Sequence, residues 1–231
     1  MSSSSHPPTK LTVLISGSGT NLQALIDATT SSPPTLPNTI ITHVISNKKN
    51  AYGLDRARSA GIKTSYHNLV AGHYLKSGEK DPEAIKAGRE KYDADLAALI
   101  LGDGPDLIVC AGWMHILSPP FLAPLEKEHV PVINLHPALP GAYDGANAIK
   151  RAYDDFVAGK SKGPTGVMVH YVVAEVDRGQ PILVREIEFQ EGETLEGLEE
   201  RIHKVEHGII VEGTRKASEE LWEGREKKGG K

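Results

Sequence analysis

Two short segments about forty residues apart carry side chains suited to acyl chemistry. The first is Asn134-Leu135-His136-Pro137, which ends the apolar run Val130-Pro131-Val132-Ile133. The second is Val176-Asp177-Arg178-Gly179, which follows the run Val167-Met168-Val169-His170-Tyr171-Val172-Val173. On a strand, residues two apart project from the same face, so Asn134 and His136 would emerge together. Pro137 has no backbone donor and favours the strand ending there. An amide, an imidazole and a distant carboxylate could stabilise a developing oxyanion and move a proton. Spacing alone leaves a plainer alternative open, with His136 an ordinary strand-end histidine and Asp177 a turn residue before Gly179.

A second candidate lies near the N-terminus. An apolar run from residue 11 enters Gly17-Ser18-Gly19-Thr20-Asn21, and a helical pattern follows. A glycine turn before a helix offers backbone N–H groups and a positive dipole end to a phosphate. Thr20 and Gln23 have capping-box spacing. Leu22 stands where the dinucleotide fingerprint needs a third glycine, and no Lys-Ser/Thr pair follows, so neither that fingerprint nor a nucleoside-triphosphate loop is present. A tight structural turn accounts for the loop equally well. Farther along, Trp113-Met114-His115-Ile116-Leu117 follows a buried apolar run, at the edge where open α/β sheets bind ligands. Its backbone could line a slot for a flat ring, while Ile116 and Leu117 suit plain core packing. His203-Lys204-Val205-Glu206-His207 fits a short helical zinc pattern. It arises easily by chance and leaves little chain for a further ligand, so no metal is expected.

The elements that must position these groups alternate between short apolar runs and helical stretches, which predicts an α/β fold with a mostly parallel sheet. Strands are expected at residues 11–16, 40–46, 63–67, 107–111 and 130–135. Helices are expected at 21–29, 52–60, 82–101, 145–157 and 194–211. Residues 167–173 and 182–189 read as an antiparallel pair joined through the Asp177-Arg178-Gly179 turn. Residues 31–37 must be a loop, and residues 69–80 have little pattern and read as an exposed insertion. No repeat or linker divides the chain. Residues 1–10 are expected to be a disordered leader, 11–215 one domain, and 216–231 a frayed or disordered tail.

Composition narrows the function classes. The 231 residues suffice for one large α/β domain. A formal charge of -4 argues against a nucleic-acid partner. No apolar run reaches the length of a membrane span. The first eight residues have no apolar core and no Lys or Arg, unlike a secretory signal. The single cysteine, Cys110, cannot form an internal disulfide and fits a reducing, cytoplasmic setting.

Taken in order, Ile15-Ser16-Gly17-Ser18-Gly19-Thr20-Asn21-Leu22-Gln23, Ala111-Gly112-Trp113-Met114-His115-Ile116-Leu117-Ser118, Asn134-Leu135-His136-Pro137 and Val176-Asp177-Arg178-Gly179 resemble the phosphoribosylglycinamide formyltransferases, folate-dependent enzymes of purine synthesis. The resemblance spans about residues 11–213. It implies a Rossmann-like formyltransferase fold with helices on both faces of the sheet, the N-terminal half binding phosphate. It also implies transfer of a formyl group from 10-formyltetrahydrofolate to the amine of glycinamide ribonucleotide. In that reading Asn134, His136 and Asp177 are catalytic, with Asp177 raising the pKa of a cationic His136. Gly17, Ser18, Gly19, Thr20, Asn21 and Glu206 bind the ribonucleotide. Arg89, Met114, His115, Ile116, Leu117, Asn134, Val173 and Asp177 bind the folate, although His115 stands where the family often has Arg. Partners would be small-molecule substrates, with the chain a monomer or weak homodimer. The alternatives are a formyltetrahydrofolate hydrolase, another formyltransferase, or a non-catalytic Rossmann-like nucleotide-binding protein.

Overall fold

A computed structural model describes residues 6–229. Seven strands form one sheet in the order β3-β2-β1-β4-β5-β6-β7. The first five are β1 (Thr9–Ile15), β2 (Thr39–Ser46), β3 (Lys63–Tyr66), β4 (Leu107–Cys110) and β5 (Val132–His136), all parallel. β6 (Thr165–Tyr171) and β7 (Pro181–Ile187) run antiparallel on the far side of β5. Both faces of the sheet are covered, as parallel strands require. Leu11, Val13 and Ile15 of β1 meet a core built with α1 (Thr20–Thr30), α2 (Tyr52–Ser59) and α6 (Leu195–Gly229), and α5 (Ala148–Val157) packs against it. Leu14 of the same strand points the other way, to α3 (Pro82–Leu101) and α4 (Pro119–Lys127). The mostly parallel α/β expectation holds. The strand order reverses between β1 and β4, where open α/β sheets leave a crevice for ligands.

Several boundaries differ from the sequence expectation, each for a local reason. The helix expected from 145 starts at Ala148, because Gly145 and Asn147 have positive φ, 80° and 57°. α4 was not expected, since three prolines masked it. Pro119 and Pro120 fit the first turn, where N–H groups have no intrahelical partner, and Pro124 forgoes one bond. The insertion at 69–80 is mostly exposed but anchored, because Leu69 and Tyr74 pack on the α3/α4 core.

The expected leader and tail need correction. Residues 1–5 and 230–231 lie outside the described residues. Thr9 and Lys10 belong to β1. The closing helix does not stop near 211 but continues to Gly229. Leu198, Ile202, Ile209, Ile210 and Ala217 form its buried stripe at helical spacing. Gly213 lets the helix approach the sheet, since a Cβ there would meet the Val169 side chain at 2.8 Å. Beyond that, Trp222 Nε1 donates to Thr9 Oγ1 at 2.9 Å and its ring stacks on His6 at 4.3 Å. Arg225 covers the Trp222 ring and pairs with Asp106. The charged composition of this segment concealed those anchors.

Trp222→Ala should therefore lower unfolding free energy by about 2 kcal/mol, from lost ring contacts and one hydrogen bond. Urea denaturation measures this. An unchanged midpoint would mean that the end of α6 contributes nothing to stability.

Candidate active site

Asn134 and His136 alternate on β5 with Ile133 and Leu135, which face the α1/α6 core. The two polar side chains therefore share the opposite face, as their spacing predicts. β6 pairs beside them and sets His170 directly opposite Asn134. The chain then leaves β6 and returns, bringing Asp177, at φ 55°, back to the same place. Gly145 N–H donates to Asp177 Oδ2 at 2.7 Å, and Asn134 Nδ2 donates to Asp177 Oδ1 at 3.3 Å. His136 Nδ1 lies 3.4 Å from Oδ2, and His170 Nε2 lies 3.5 Å from Oδ1. Asn134 Nδ2 also approaches His170 Nε2 at 3.2 Å. His170 Nδ1 sits 2.9 Å from the Tyr171 carbonyl.

The electrostatics of this group follow from burial. The Asp177 side chain is only 9 % exposed. Burial alone would raise its carboxyl pKa, but His170, the Gly145 N–H and His136 outweigh that and hold it below the ordinary value. For His136 the balance goes the other way. Burial lowers its pKa, and the opposing pull of Asp177 is smaller. Burial thus biases the resting His136 towards the neutral form, with Asp177 pulling the other way. Its Nε2 lies 3.2 Å from the Tyr143 carbonyl, so each ring nitrogen faces an oxygen.

These groups line a cleft of ≈ 400 Å³ at the carboxyl ends of β4 and β5. Met114, His115, Ile116 and Leu117 form another wall, and Val173, Asn21 and Glu206 also reach the cleft. Met114 and Ile116 are exposed, at 64 % and 59 %, whereas Leu117 is buried. The segment is pinned by Met114 N–H donating to Ser16 Oγ and Ser118 N–H donating to Asp93, each at 2.9 Å. Arg89 does not line the cleft. It stands on α3, close enough to join burial in lowering the His115 pKa.

Gly17, Ser18, Gly19 and Thr20 stand outside the cleft lining, next to Asn21. Gly19, at φ 71°, is the N-cap of α1, and no side chain caps the helix. The Thr20–Gln23 capping box is therefore absent. Thr20 is already the first helical residue, and Gln23 instead donates to Asp27 and accepts from Arg56. The first N–H groups of α1 have no intrahelical acceptor. The loop is held from behind by α2. Gly19 and Gly53 are in such close contact that a Cβ on Gly19 would lie 2.5 Å from Gly53 Cα.

Residues 9–214 match the formyl transferase family. The chain belongs to the formyl transferase family. It is 54 % identical over 202 residues to the phosphoribosylglycinamide formyltransferase of Schizosaccharomyces pombe, covering 87 % of this chain and 93 % of that one. It is 35 % identical to the Escherichia coli protein of the same name, over 86 % and 82 % of the two chains. The crystal structure of glycinamide ribonucleotide transformylase 1 from Symbiobacterium toebii superposes with a TM-score of 0.72 at 33 % identity, covering 90 % of this chain and 86 % of that one.

Sequence reasoning missed several groups in this formyl transferase site. His170 carries no local motif, yet it contacts both Asn134 and Asp177. The only signal for this is strand pairing, which a single sequence does not print. The Gly145 N–H, the Tyr143 carbonyl, Gly53 and Arg56 act through backbone or across long sequence gaps. Glu206 turns into the cleft and accepts from Asn21 Nδ2 at 3.1 Å. Among the described residues no group of three His, Cys, Asp or Glu side chains could hold a metal ion.

Glu206 is 6 % exposed, and burial raises its pKa above the ordinary 4.5, with Asn21 opposing. A raised carboxyl favours the folded state at low pH and costs stability as pH rises through the folded value. Glu206→Gln should therefore be more stable than wild type at pH 7, with the gain vanishing below about pH 4.5. Thermal unfolding against pH reads this. A variant less stable than wild type at neutral pH would refute the burial argument.

Proposed function

We infer that this chain transfers a formyl group from 10-formyltetrahydrofolate to the amine of glycinamide ribonucleotide, a step of purine synthesis. The observation that carries the reading is the Asp177 carboxylate, drawn back from beyond β6 against Asn134 and His136 in the cleft. Family membership and relatives bearing this activity's name support it. The folate ring would enter the slot along Met114–Leu117 and Val173, with Asn134 and Asp177 at its reacting end and Arg89 towards its outer part. The ribonucleotide would place its phosphate on Gly17–Asn21 and its sugar near Glu206.

The neutral amine attacks the formyl carbon and gives a tetrahedral intermediate with a negative oxygen. Asn134 donates to that oxygen once substrate displaces its present contact with Asp177 or His170. One proton must then move from the amine nitrogen to the departing folate nitrogen. His136, neutral at rest, takes this proton and delivers it, while Asp177 stabilises the transient imidazolium. The proton balance closes without a covalent enzyme intermediate. Partners are the two small-molecule substrates, and we assign the enzyme to the cytoplasm. Cys110 is a buried thiol whose pKa burial pushes up to about 12, an inert group suited to a reducing compartment. Among the described residues, no helix is long and apolar enough to cross a membrane.

The deciding experiment gives purified protein 10-formyltetrahydrofolate with and without glycinamide ribonucleotide. Tetrahydrofolate should form only when the acceptor is present. Comparable release without it would identify a hydrolase instead. His136→Ala and Asp177→Asn should each lower kcat by at least about a hundredfold. Near-normal turnover would remove that residue from the mechanism.

A titration of the residue itself offers a separate check. Since His136 is held below the ordinary imidazole value of 6.5, its NMR ring signals should titrate with a midpoint below 6.5. Asp177→Asn should move that midpoint lower still. A midpoint above 6.5 would contradict a His136 that rests neutral.

A further inference from the structure

Arg56, on α2, has no place in the reaction described above, yet it touches the glycine loop directly. Its Nε donates to the Ser18 carbonyl at 3.0 Å. Its Nη1 donates to Gln23 Oε1 at 3.1 Å, and its guanidinium lies over the Tyr52 ring at 4.9 Å from the centroid. The neighbouring carbonyls are also taken. Gly17 O accepts from Gly53 N–H at 3.1 Å, and Gly19 O accepts from Gln23 N–H at 2.9 Å. Three consecutive carbonyls, Gly17 to Gly19, are thus consumed by donors from α2 and α1. Among backbone groups, the loop is left to offer N–H.

An anion-binding loop needs this asymmetry, because a carbonyl oxygen turned towards a phosphate would repel it. Two of the three restraints are backbone bonds that any side chain would permit. The third depends on one side chain across 38 residues of sequence. Arg56 is half-buried and planar, so its fork reaches the Ser18 carbonyl and Gln23 together while bringing a positive charge beside the loop. We propose that Arg56 is a positioning residue for the phosphate of the acceptor substrate, holding the Ser18 carbonyl away so that the loop N–H groups face the anion. The proposal rests on the reading of Gly17–Asn21 as the phosphate site.

Arg56→Ala and Arg56→Lys in the full chain test it. Lysine keeps the charge but cannot donate to Ser18 O and Gln23 Oε1 as a fixed fork. Both variants should raise KM for glycinamide ribonucleotide at least about tenfold, the scale of a lost charge-assisted hydrogen bond. Saturated kcat and KM for the folate should change less than about threefold, and melting temperature should hold. The defect should disappear with the dephosphorylated acceptor, glycinamide riboside, which wild type and variants should use equally poorly. Wild-type KM in the lysine variant would assign the effect to charge alone and overturn the positioning role. So would an unchanged alanine variant, or equal loss with both acceptors. If wild-type enzyme itself does not prefer the phosphorylated acceptor, the phosphate-site reading fails first, independently of any variant.

Discussion

A carboxylate carried into a protein interior is tolerable only where donors replace the water it leaves. Asp177 meets that demand with contacts from three parts of the chain. Asn134 and His136 stand on β5, His170 on β6, and the Gly145 N–H lies in the segment before α5. Each contact also fixes its own partner. The left-handed Gly145 and Asn147 that delay α5 present the N–H that Asp177 needs. The antiparallel pairing of β6 with β5 puts His170 within reach of both Asn134 and Asp177. The irregular pieces of the C-terminal half are therefore arranged around one charge.

The same burial sets the chemistry. Burial of its ring disfavours an imidazolium, so His136 rests towards neutrality despite its acidic neighbour. Asp177 is held below the ordinary carboxylate value by His170, the Gly145 N–H and His136. A neutral ring beside a stable carboxylate can accept a proton for a short time and release it. In the glycine loop at the neighbouring strand ends, the carbonyls of Gly17, Ser18 and Gly19 are occupied by donors from α2 and α1. Met114 N–H bonding to Ser16 Oγ joins the end of β1 to the wall after β4. The loop and the cleft thus meet at the crevice between β1 and β4, where open α/β sheets bind ligands.

Much of this was legible in the chain. The alternation of apolar runs and helical stretches foretold a mostly parallel α/β sheet, because strand and helix periods leave a local imprint. The Asn134-Leu135-His136-Pro137 spacing foretold a shared face at a strand end, and the structure places both side chains there. Local pattern failed where a tertiary contact outweighed it. The polar stretch after residue 215 read as frayed or disordered, yet Trp222 and Arg225 find partners in Thr9 and Asp106 more than a hundred residues away. Three prolines hid α4, although two of them suit a first turn. The Thr20–Gln23 spacing suggested a capping box, but Gly19 became the cap and Arg56 engaged Gln23.

What the sequence by itself determined was which chemical groups exist and which elements carry them. Residue type sets the available chemistry, and hydrophobic period sets element type. What only the tertiary structure decided was the company each group keeps. That includes His170 beside Asn134, the neutral bias of His136, Glu206 turned into the cleft against Asn21, and Arg56 gripping the loop from α2. These depend on burial and on distances between residues far apart in the chain. Desolvation and hydrogen bonding act through space, and no local spacing encodes them.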